Sequence, residues 1–97
     1  MFGMFNNFRI GAMTDVVEAK SGNTYYVDTA NTVDAGPETM VFLYDPTVQK
    51  VKSWHDLYAR WYFNMEDAYK GHKEIVASID ELEPEFDFEE ELEEELV

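Results

Sequence analysis

The chain changes character sharply after residue 79. Residues 80–97 contain 11 acidic side chains and no basic one, whereas residues 1–79 contain 10 acidic and 7 basic side chains. A run of like charges this dense does not fold alone, because its carboxylates repel one another and it has little apolar surface to bury. The sequence therefore predicts a compact body over residues 1–79, which folds without the rest. It also predicts an acidic tail over residues 80–97 that is disordered or folds on binding.

Size and composition limit what the body can be. With 97 residues the chain has room for one domain with a single small core. The absence of cysteine excludes a disulfide framework and a thiolate metal site, and it favours an intracellular protein. No apolar run approaches the roughly 18 residues of a membrane span, and the first five residues lack the features of a secretory signal. We therefore expect a soluble cytoplasmic protein with no membrane association.

The net charge of −14 restricts the partners of the chain. A surface this negative repels nucleic acid phosphates and anionic lipids, so direct binding to DNA, RNA or a membrane surface is not expected. The same field attracts basic proteins. A body of this size is also marginally stable as a monomer, so a partner or self-association into a homo-oligomer would stabilise it.

The segment between residues 14 and 30 has the pattern of a β-hairpin. Residues 14–20 and 24–30 are rich in residues that favour strands, and apolar side chains alternate along them. Between the two runs, Gly22 and Asn23 accept the positive φ angles that tight turns need.

A second hairpin is predicted over residues 39–52. Residues 31–37 carry Asn, Asp, Gly and Pro and are predicted to be a loop. Residues 39–44 form the most strand-like run of the chain and should be the central strand. Pro46 then opens a turn, after which residues 48–52 return as another strand.

A helical pattern begins after Asn64, a cap residue followed by two acids at the positive end of the helix dipole. Positions that would face a core recur at helical spacing: Ala68, His72, Ile75, Val76 and Ile79. Gly71 lowers helix propensity, so its presence indicates a close approach of the helix to a strand or an aromatic ring.

The region before this helix is less regular. Ser53 and Asp56 fit a capping box, which predicts a helical turn over residues 54–58, and residues 59–63 either continue it or form a strand. Together the elements predict an α+β fold, in which a small antiparallel sheet of two hairpins is packed by one main helix and followed by the acidic C-terminal tail.

Two runs of the body resemble small uncharacterised proteins of bacteriophages and prophages. One is Glu38-Thr39-Met40-Val41-Phe42 directly after Gly36-Pro37, and the other extends from Tyr62 through Asp67-Ala68 to Gly71-His72. The resemblance covers residues 27–76, about half of the chain. It implies a phage or prophage origin, a compact α+β unit, and a location in the infected host cell or the virion. The family has no assigned activity, so no catalytic residue is carried over from it.

Two histidines are the candidates for chemistry. Together with His55, Glu38 or Asp67, His72 on the predicted helix face would be able to form a metal or acid-base site. A core histidine whose ring bonds a backbone carbonyl is the favoured interpretation, since the spacing matches no known ligand pattern. The sequence also has no phosphate loop, nucleophile elbow or calcium loop. It therefore predicts no enzyme, no cofactor and no metal site.

An aromatic cluster lies within ten residues: Trp54, Tyr58, Trp61, Tyr62 and Phe63. Trp and Tyr are frequent anchors of interfaces, but a domain with few leucines has to build its core from aromatic rings. We expect most of the cluster in the core and at most one or two rings exposed. Tyr25 and Tyr26 should lie on opposite faces of one strand.

The predicted tail carries apolar residues between its acids. Phe88, Leu92 and Leu96 share one face of a helix, whereas Phe86 and Phe88 share one face of an extended chain. Such a segment suits a basic groove with an apolar floor, although a solvated tail is the alternative. The candidate partner-binding residues are Phe86, Phe88, Leu92, Glu85, Asp87, Glu89, Glu90 and Glu91.

These observations support two hypotheses from different classes. The first is a phage-derived interaction protein whose acidic tail occupies, and in doing so inhibits, a basic site on a host or phage protein in the manner of a DNA mimic. The alternative is a phage accessory or structural protein. It would assemble with itself or with virion subunits through strand edges and residues 1–10, while the tail maintains solubility.

Overall fold

The computed structural model describes residues 9–88, which form an antiparallel sheet of five strands with a helix across one face. The strands are β1 (Ile10–Glu18), β2 (Thr24–Thr32), β3 (Gly36–Asp45), β4 (Lys50–Val51) and β5 (Tyr58–Trp61). The helices are α1 (Met65–Ala77) and the one-turn α2 (Ile79–Leu82), followed by a 3-10 turn over Glu83–Glu85. The predicted α+β class, with an antiparallel sheet and one main helix, is confirmed.

Strand β3 lies inside the sheet and pairs with three of the other four strands. One edge of β3 pairs along nearly its whole length with β2, which pairs in turn with β1. The other edge pairs with β5 near the start of β3 and with β4 at its end. The prediction that residues 39–44 form the central strand is therefore confirmed. The predicted hairpin turn before β2 is also confirmed, and Gly22 there has a φ angle of 99°.

The second hairpin differs in length from its prediction. The loop predicted over residues 31–37 is reduced to a three-residue turn, because β2 continues to Thr32 and pairs it with Gly36. The return strand predicted over residues 48–52 is limited to Lys50–Val51. Backbone pairing thus extends β2 and β3 into the predicted loop, whereas β4 contains only two residues.

The helical turn predicted over residues 54–58 is wrong. Residues 58–61 form β5, and just before it the amide of Leu57 donates to the carbonyl of Val41 at 2.8 Å. The edge of β3 offers backbone donors and acceptors at this point, and pairing satisfies the polar groups of both strands. Of the two alternatives for residues 59–63, the strand is therefore correct for the first three.

Helix α1 begins as predicted at Asn64, whose side-chain oxygen accepts a hydrogen bond from the amide of Asp67 at 2.8 Å. Its fully buried residues are Ala68, Gly71, His72 and Ile75. A Cβ atom at Gly71 would lie 2.2 Å from Cε1 of Tyr62. The close approach predicted at this glycine is therefore made to an aromatic ring.

The two faces of the sheet differ in what covers them. The face under α1, here called the covered face, holds the main core, whose buried members are Ala19, Tyr25, Val27, Val41, Leu57, Ile75, Ile79 and Phe86. Alternate residues of the same strands, such as Tyr26 and its cross-strand partner Phe42, lie on the opposite side, here called the open face. Tyr25 and Tyr26 thus occupy opposite faces, as predicted. No helix among residues 9–88 is long and apolar enough to cross a membrane.

Candidate functional site

The first half of the predicted tail packs on the covered face. Phe86 is 7% exposed. Its ring meets that of Tyr25 edge-on with 4.9 Å between centroids, and it lies 5.8 Å from that of Tyr58. Phe88 is half-buried against the same core. Burial of these rings offsets the repulsion among the neighbouring carboxylates. Residues 80–88 thus extend a core that the sequence analysis placed within residues 1–79.

Glu83 ties this segment to the turn between β1 and β2. Its carboxylate accepts hydrogen bonds from Ser21 Oγ at 2.6 Å, from Asn23 Nδ2 at 3.1 Å and from the hydroxyl of Tyr25. The hydrogen bond from Ser21, followed by that from Tyr25, lowers the pKa of Glu83 below its usual range; burial opposes this effect, and the hydrogen bond from Asn23 adds to it. The ionised carboxylate is therefore part of the structure of this segment.

The end of the segment is fixed beside the residues that precede β5. The amide of Asp87 donates to the carbonyl of Leu57 at 2.9 Å, and the carbonyl of Asp87 lies 2.9 Å from Nε2 of His55. A carbonyl oxygen only accepts, so this ring nitrogen is the donor. These contacts set the position of the chain up to Phe88.

The predicted partner-binding residues are thereby divided into three groups. Phe86 is in the core and Phe88 is half-buried, so both rings are engaged within the chain. Glu85 and Asp87 are exposed at the surface of the same segment. The remaining four lie outside the described residues: Leu92, Glu89, Glu90 and Glu91.

His72 connects α1 to the sheet through a row of polar side chains. Its Nε2 lies 2.7 Å from Oδ2 of Asp15, and its Nδ1 lies 2.6 Å from Oγ1 of Thr29. Thr29 is hydrogen-bonded to Thr39, which accepts a hydrogen bond from the hydroxyl of Tyr62 at 3.0 Å. The interpretation of His72 as a core histidine is correct in its burial, but the ring bonds two side chains, where a backbone carbonyl was expected.

The carboxylate of Asp15 fixes the direction of the hydrogen bonds in this row. An ionised carboxylate only accepts, so Nε2–H of His72 donates to it, and in the neutral imidazole Nδ1 accepts from the hydroxyl of Thr29. Thr29 then accepts from Thr39, and Thr39 accepts from Tyr62. Both buried hydroxyls therefore donate once and accept once, and the row holds α1 in one position on the sheet.

The order Asp15, His72, Thr29 is that of a nucleophile triad, but the geometry is that of a structural network. Both His72 and Thr29 have no exposed surface, and a nucleophile has to reach its substrate. Sequence reasoning missed Asp15 and Thr29 as partners of His72. The available signal was polar residues in register with the core: Asp15 alternates with Val17 on β1, and Thr29 alternates with Val27 on β2.

The other partners considered for His72 lie elsewhere. His55 contacts Asp87, Asp67 is in the exposed first turn of α1, and Glu38 is opposite Trp61 in the β3–β5 pair. None of these three contacts involves the ring of His72.

The aromatic cluster lies mostly outside the core. Trp54 is 70% exposed, Trp61 is 61% exposed and Phe63 is 94% exposed, so the expectation of at most two exposed rings is wrong. On the open face Trp54 stands edge-on to Phe42, with 5.1 Å between centroids, and to Tyr26 at 6.4 Å. Among residues 9–88, helix α1 lies on the other face of the sheet, so it does not cover Trp54.

Glu38 on the open face is incompletely satisfied. Glu38 lies opposite Trp61 in the β3–β5 pair, and its Oε2 is buried with no hydrogen-bond partner among residues 9–88. Burial raises the pKa of Glu38; the side chain of Trp61 and the charge of Arg9 oppose this effect, and the charges of Asp56 and Asp28 add to it.

A depression of about 130 Å³ lies beside this carboxylate, lined by Arg9, Asp28, Ala30, Thr32, Glu38 and Met40. Arg9 forms an ion pair with Asp28 across it. Within residues 9–88, the open face thus combines exposed indole rings with a carboxylate oxygen that has no donor.

Among residues 9–88, no group of three His, Asp or Glu side chains is placed to hold a metal ion.

The chain was compared with protein families, curated proteins and solved structures. No protein family, no curated protein and no solved structure matches it.

Proposed function

We propose that this protein is a phage-derived acidic interaction protein that binds a basic protein of the host or phage through its acidic C-terminal region. In the manner of a DNA mimic, it occupies and inhibits a basic, nucleic-acid-binding site. The phage origin is supported by the resemblance of the Glu38–Phe42 and Tyr62–His72 runs. The class of partner is supported by the net charge of −14.

The observation that carries this proposal is the attachment of residues 80–88 to the body. Phe86, which is buried in the core, and Glu83, which accepts hydrogen bonds from the turn between β1 and β2, hold the segment in place. Glu81, Glu85 and Asp87 are exposed along it. Six further acids follow in residues 89–97. Acids fixed to a rigid base lose less conformational entropy on binding than acids on a free chain.

The negative charge acts mainly on the rate at which the protein associates with its partner. Opposite potentials raise the association rate of two proteins, and salt screens them as the Debye length contracts. Binding through the acidic region is therefore expected to depend steeply on salt, and DNA should compete for the same basic site on the partner.

The test begins with capture of basic proteins from a bacterial host lysate, followed by titration of each identified protein with the full chain. Replacement of Glu89, Glu90 and Glu91 by Gln should weaken binding at least about tenfold at about 0.1 M salt. The matched control replaces Glu18, Asp34 and Glu66 by their amides, which changes the net charge equally at three exposed positions elsewhere. It should weaken binding much less.

Double-stranded DNA provides the second readout. If the protein acts as a DNA mimic, DNA displaces it from the captured partner, and the Glu89, Glu90 and Glu91 variant is displaced at lower DNA concentration. Equal binding by that variant and by the control would contradict a role for the acidic C-terminal region.

A second function, assembly as a phage accessory or structural protein, is favoured by a different observation. Among the described residues, β1 pairs with β2 alone, so its outer edge offers backbone groups to a further strand. Sedimentation at increasing concentration distinguishes the two: self-association that persists in high salt favours assembly, because edge pairing does not depend on charge attraction.

A further inference from the structure

The open face carries two exposed indole rings at different positions along β3. Trp61 lies opposite Glu38, and Trp54 packs on Phe42, four residues further along the strand. At a rise of about 3.3 Å per residue, the two positions are about 13 Å apart. An extended peptide of four or five residues spans this distance.

Two further acids lie near Glu38, and one of them, Asp28, is ion-paired with Arg9. Asp28 and Asp56 both act on the carboxylate of Glu38 and add to the rise in its pKa. The buried Oε2 of Glu38 has no donor among residues 9–88, and Glu38 and Arg9 both line the depression on this face. Negative charge together with aromatic surface is complementary to a cation that also stacks on rings.

We propose that the open face binds an arginine-bearing extended segment of a partner protein, with one guanidinium on Trp61 and Glu38 and an apolar or aromatic side chain against Trp54. A guanidinium is planar, so it stacks on an indole while its N–H groups donate in parallel to a carboxylate. A lysine ammonium, which is compact and strongly hydrated, satisfies the charge but not the stacking.

The chemistry of this face favours a basic partner over a second copy of the chain. A copy carries the same charge of −14 and is repelled. The first eight residues of the chain itself contain no basic side chain to match Glu38. The inference rests on the proposed function only in taking the partner to be basic, and it adds a surface distinct from residues 80–97.

Two blocked peptides of equal charge serve as probes, acetyl-Arg-Ala-Arg-Ala-Arg-amide and acetyl-Lys-Ala-Lys-Ala-Lys-amide. Each is titrated into the full-length protein while the two indole N–H resonances are followed by NMR. The arginine peptide should shift the Trp61 indole signal and bind at least about fivefold tighter than the lysine peptide. Equal affinities of the arginine and lysine peptides would overturn the proposal. So would a titration in which neither indole N–H resonance moves.

Substitutions in the full chain separate specific contact from general attraction. Glu38→Gln and Trp61→Leu should each weaken the arginine peptide about fivefold. The matched control, Glu66→Gln, removes the same charge from an exposed acid in the first turn of α1 and should have less than about a twofold effect. An equal effect of Glu66→Gln and Glu38→Gln would reduce the binding to net charge. The melting temperature of each variant confirms that the fold is retained.

Two further variants show whether the proposed function or the present inference has failed. One replaces Glu89, Glu90 and Glu91 by Gln, and the other replaces Phe5 and Phe8 by Ser. If Glu89, Glu90 and Glu91 to Gln abolishes peptide binding while Glu38→Gln has no effect, the open face is not a binding site and the inference fails. The reverse result supports the open face and counts against the acidic C-terminal region. If Phe5→Ser and Phe8→Ser shift the indole signals without peptide and neither peptide binds the unmodified chain, its own first residues occupy the face, and the inference is overturned.

Discussion

The acidic segment 80–88 and the open face of the sheet differ in how completely their polar groups are hydrogen-bonded and their aromatic rings are buried. In the segment 80–88, Glu83 accepts hydrogen bonds from three side chains and Phe86 is buried in the core. On the open face, Glu38 has a buried oxygen to which no group of residues 9–88 donates, and Trp61 opposite it is largely exposed. The pKa of Glu83 is lowered and that of Glu38 is raised.

The difference teaches that a dense run of charge does not by itself mark a binding surface. The acidic segment contains its own anchors and uses them within the fold. In the part of the chain that the structure describes, the open face has fewer charges but retains exposed aromatic rings and a carboxylate oxygen without a donor. Groups that the fold leaves unsatisfied are the ones with free energy to gain from a partner. We therefore consider the open face a candidate binding surface in addition to the acidic C-terminal region.

The largest expected effect that tests this comparison is at Phe86. Phe86→Ala should lower the free energy of unfolding by about 3 kcal/mol, because it removes a ring packed between Tyr25 and Tyr58 and leaves a cavity. The matched change on the open face, Trp61→Ala, should alter it by less than about 0.5 kcal/mol. Urea unfolding of both variants and the parent measures the two effects.

A loss below about 1 kcal/mol at Phe86 would contradict the comparison. It would favour the original expectation that residues 1–79 form a body complete without the acidic segment. A chain ending at residue 79 provides the confirming measurement, because it lacks Glu83 and Phe86 together.

A smaller effect is expected at Glu83. Glu83→Gln should destabilise the protein by about 1 kcal/mol at neutral pH, near the lower end for hydrogen bonds to a charged group because the carboxylate is partly exposed. Its pKa is lowered in the folded state, so its stabilisation is complete above the ordinary pKa of a glutamate. It is lost as the pH falls through the lowered value. The difference between parent and variant in urea unfolding should therefore shrink towards zero at low pH, and a difference that is constant with pH would remove the role assigned to the ionised form.

The smallest effect, of opposite sign, is expected at Glu38. Because its pKa is raised in the folded state, ionised Glu38 lowers stability above that raised value. This cost disappears as the pH falls through the ordinary pKa of the unfolded chain. Glu38→Gln should thus stabilise the protein at neutral pH by roughly 0.5 kcal/mol, a figure reduced by solvent screening, and should have no stabilising effect in acid. Destabilisation at neutral pH would show that the folded protein satisfies Glu38 Oε2.

Much of the fold followed from local pattern. The alternation in β1 and β2, the turn at Gly22 and the capped start of α1 at Asn64 each depend on residues close in sequence, and each prediction is confirmed. The close contact at Gly71 was also foreseen, because a glycine inside a helix has a cost that only packing explains. Local pattern failed at residues 54–58, where the capping-box pattern predicted a helical turn. In the structure, the chain instead leads into β5, which pairs with β3.

The candidate sites were less accessible from sequence. Phe86 is surrounded by acids in the sequence, and only its position against Tyr25 and Tyr58 shows that it belongs to the core. Asp15 and Thr29 lie 57 and 43 residues from His72, and a hydrogen-bond row over such separations has no local signature. The exposure of Trp54 and Trp61 depends on which face of the sheet α1 covers, which alternation does not decide.

By itself, the sequence determined the class of fold, the position of the central strand, the start of the main helix and the excess of acid near the C-terminus. These properties depend on spacing, turn chemistry and charge, which act between neighbours along the chain. The tertiary structure decided which acids are used within the fold and which surface remains available. Burial and hydrogen-bond satisfaction depend on the arrangement of distant segments in space, so Glu83 and Glu38, the same residue type, acquire opposite pKa shifts from the groups that the fold places around them.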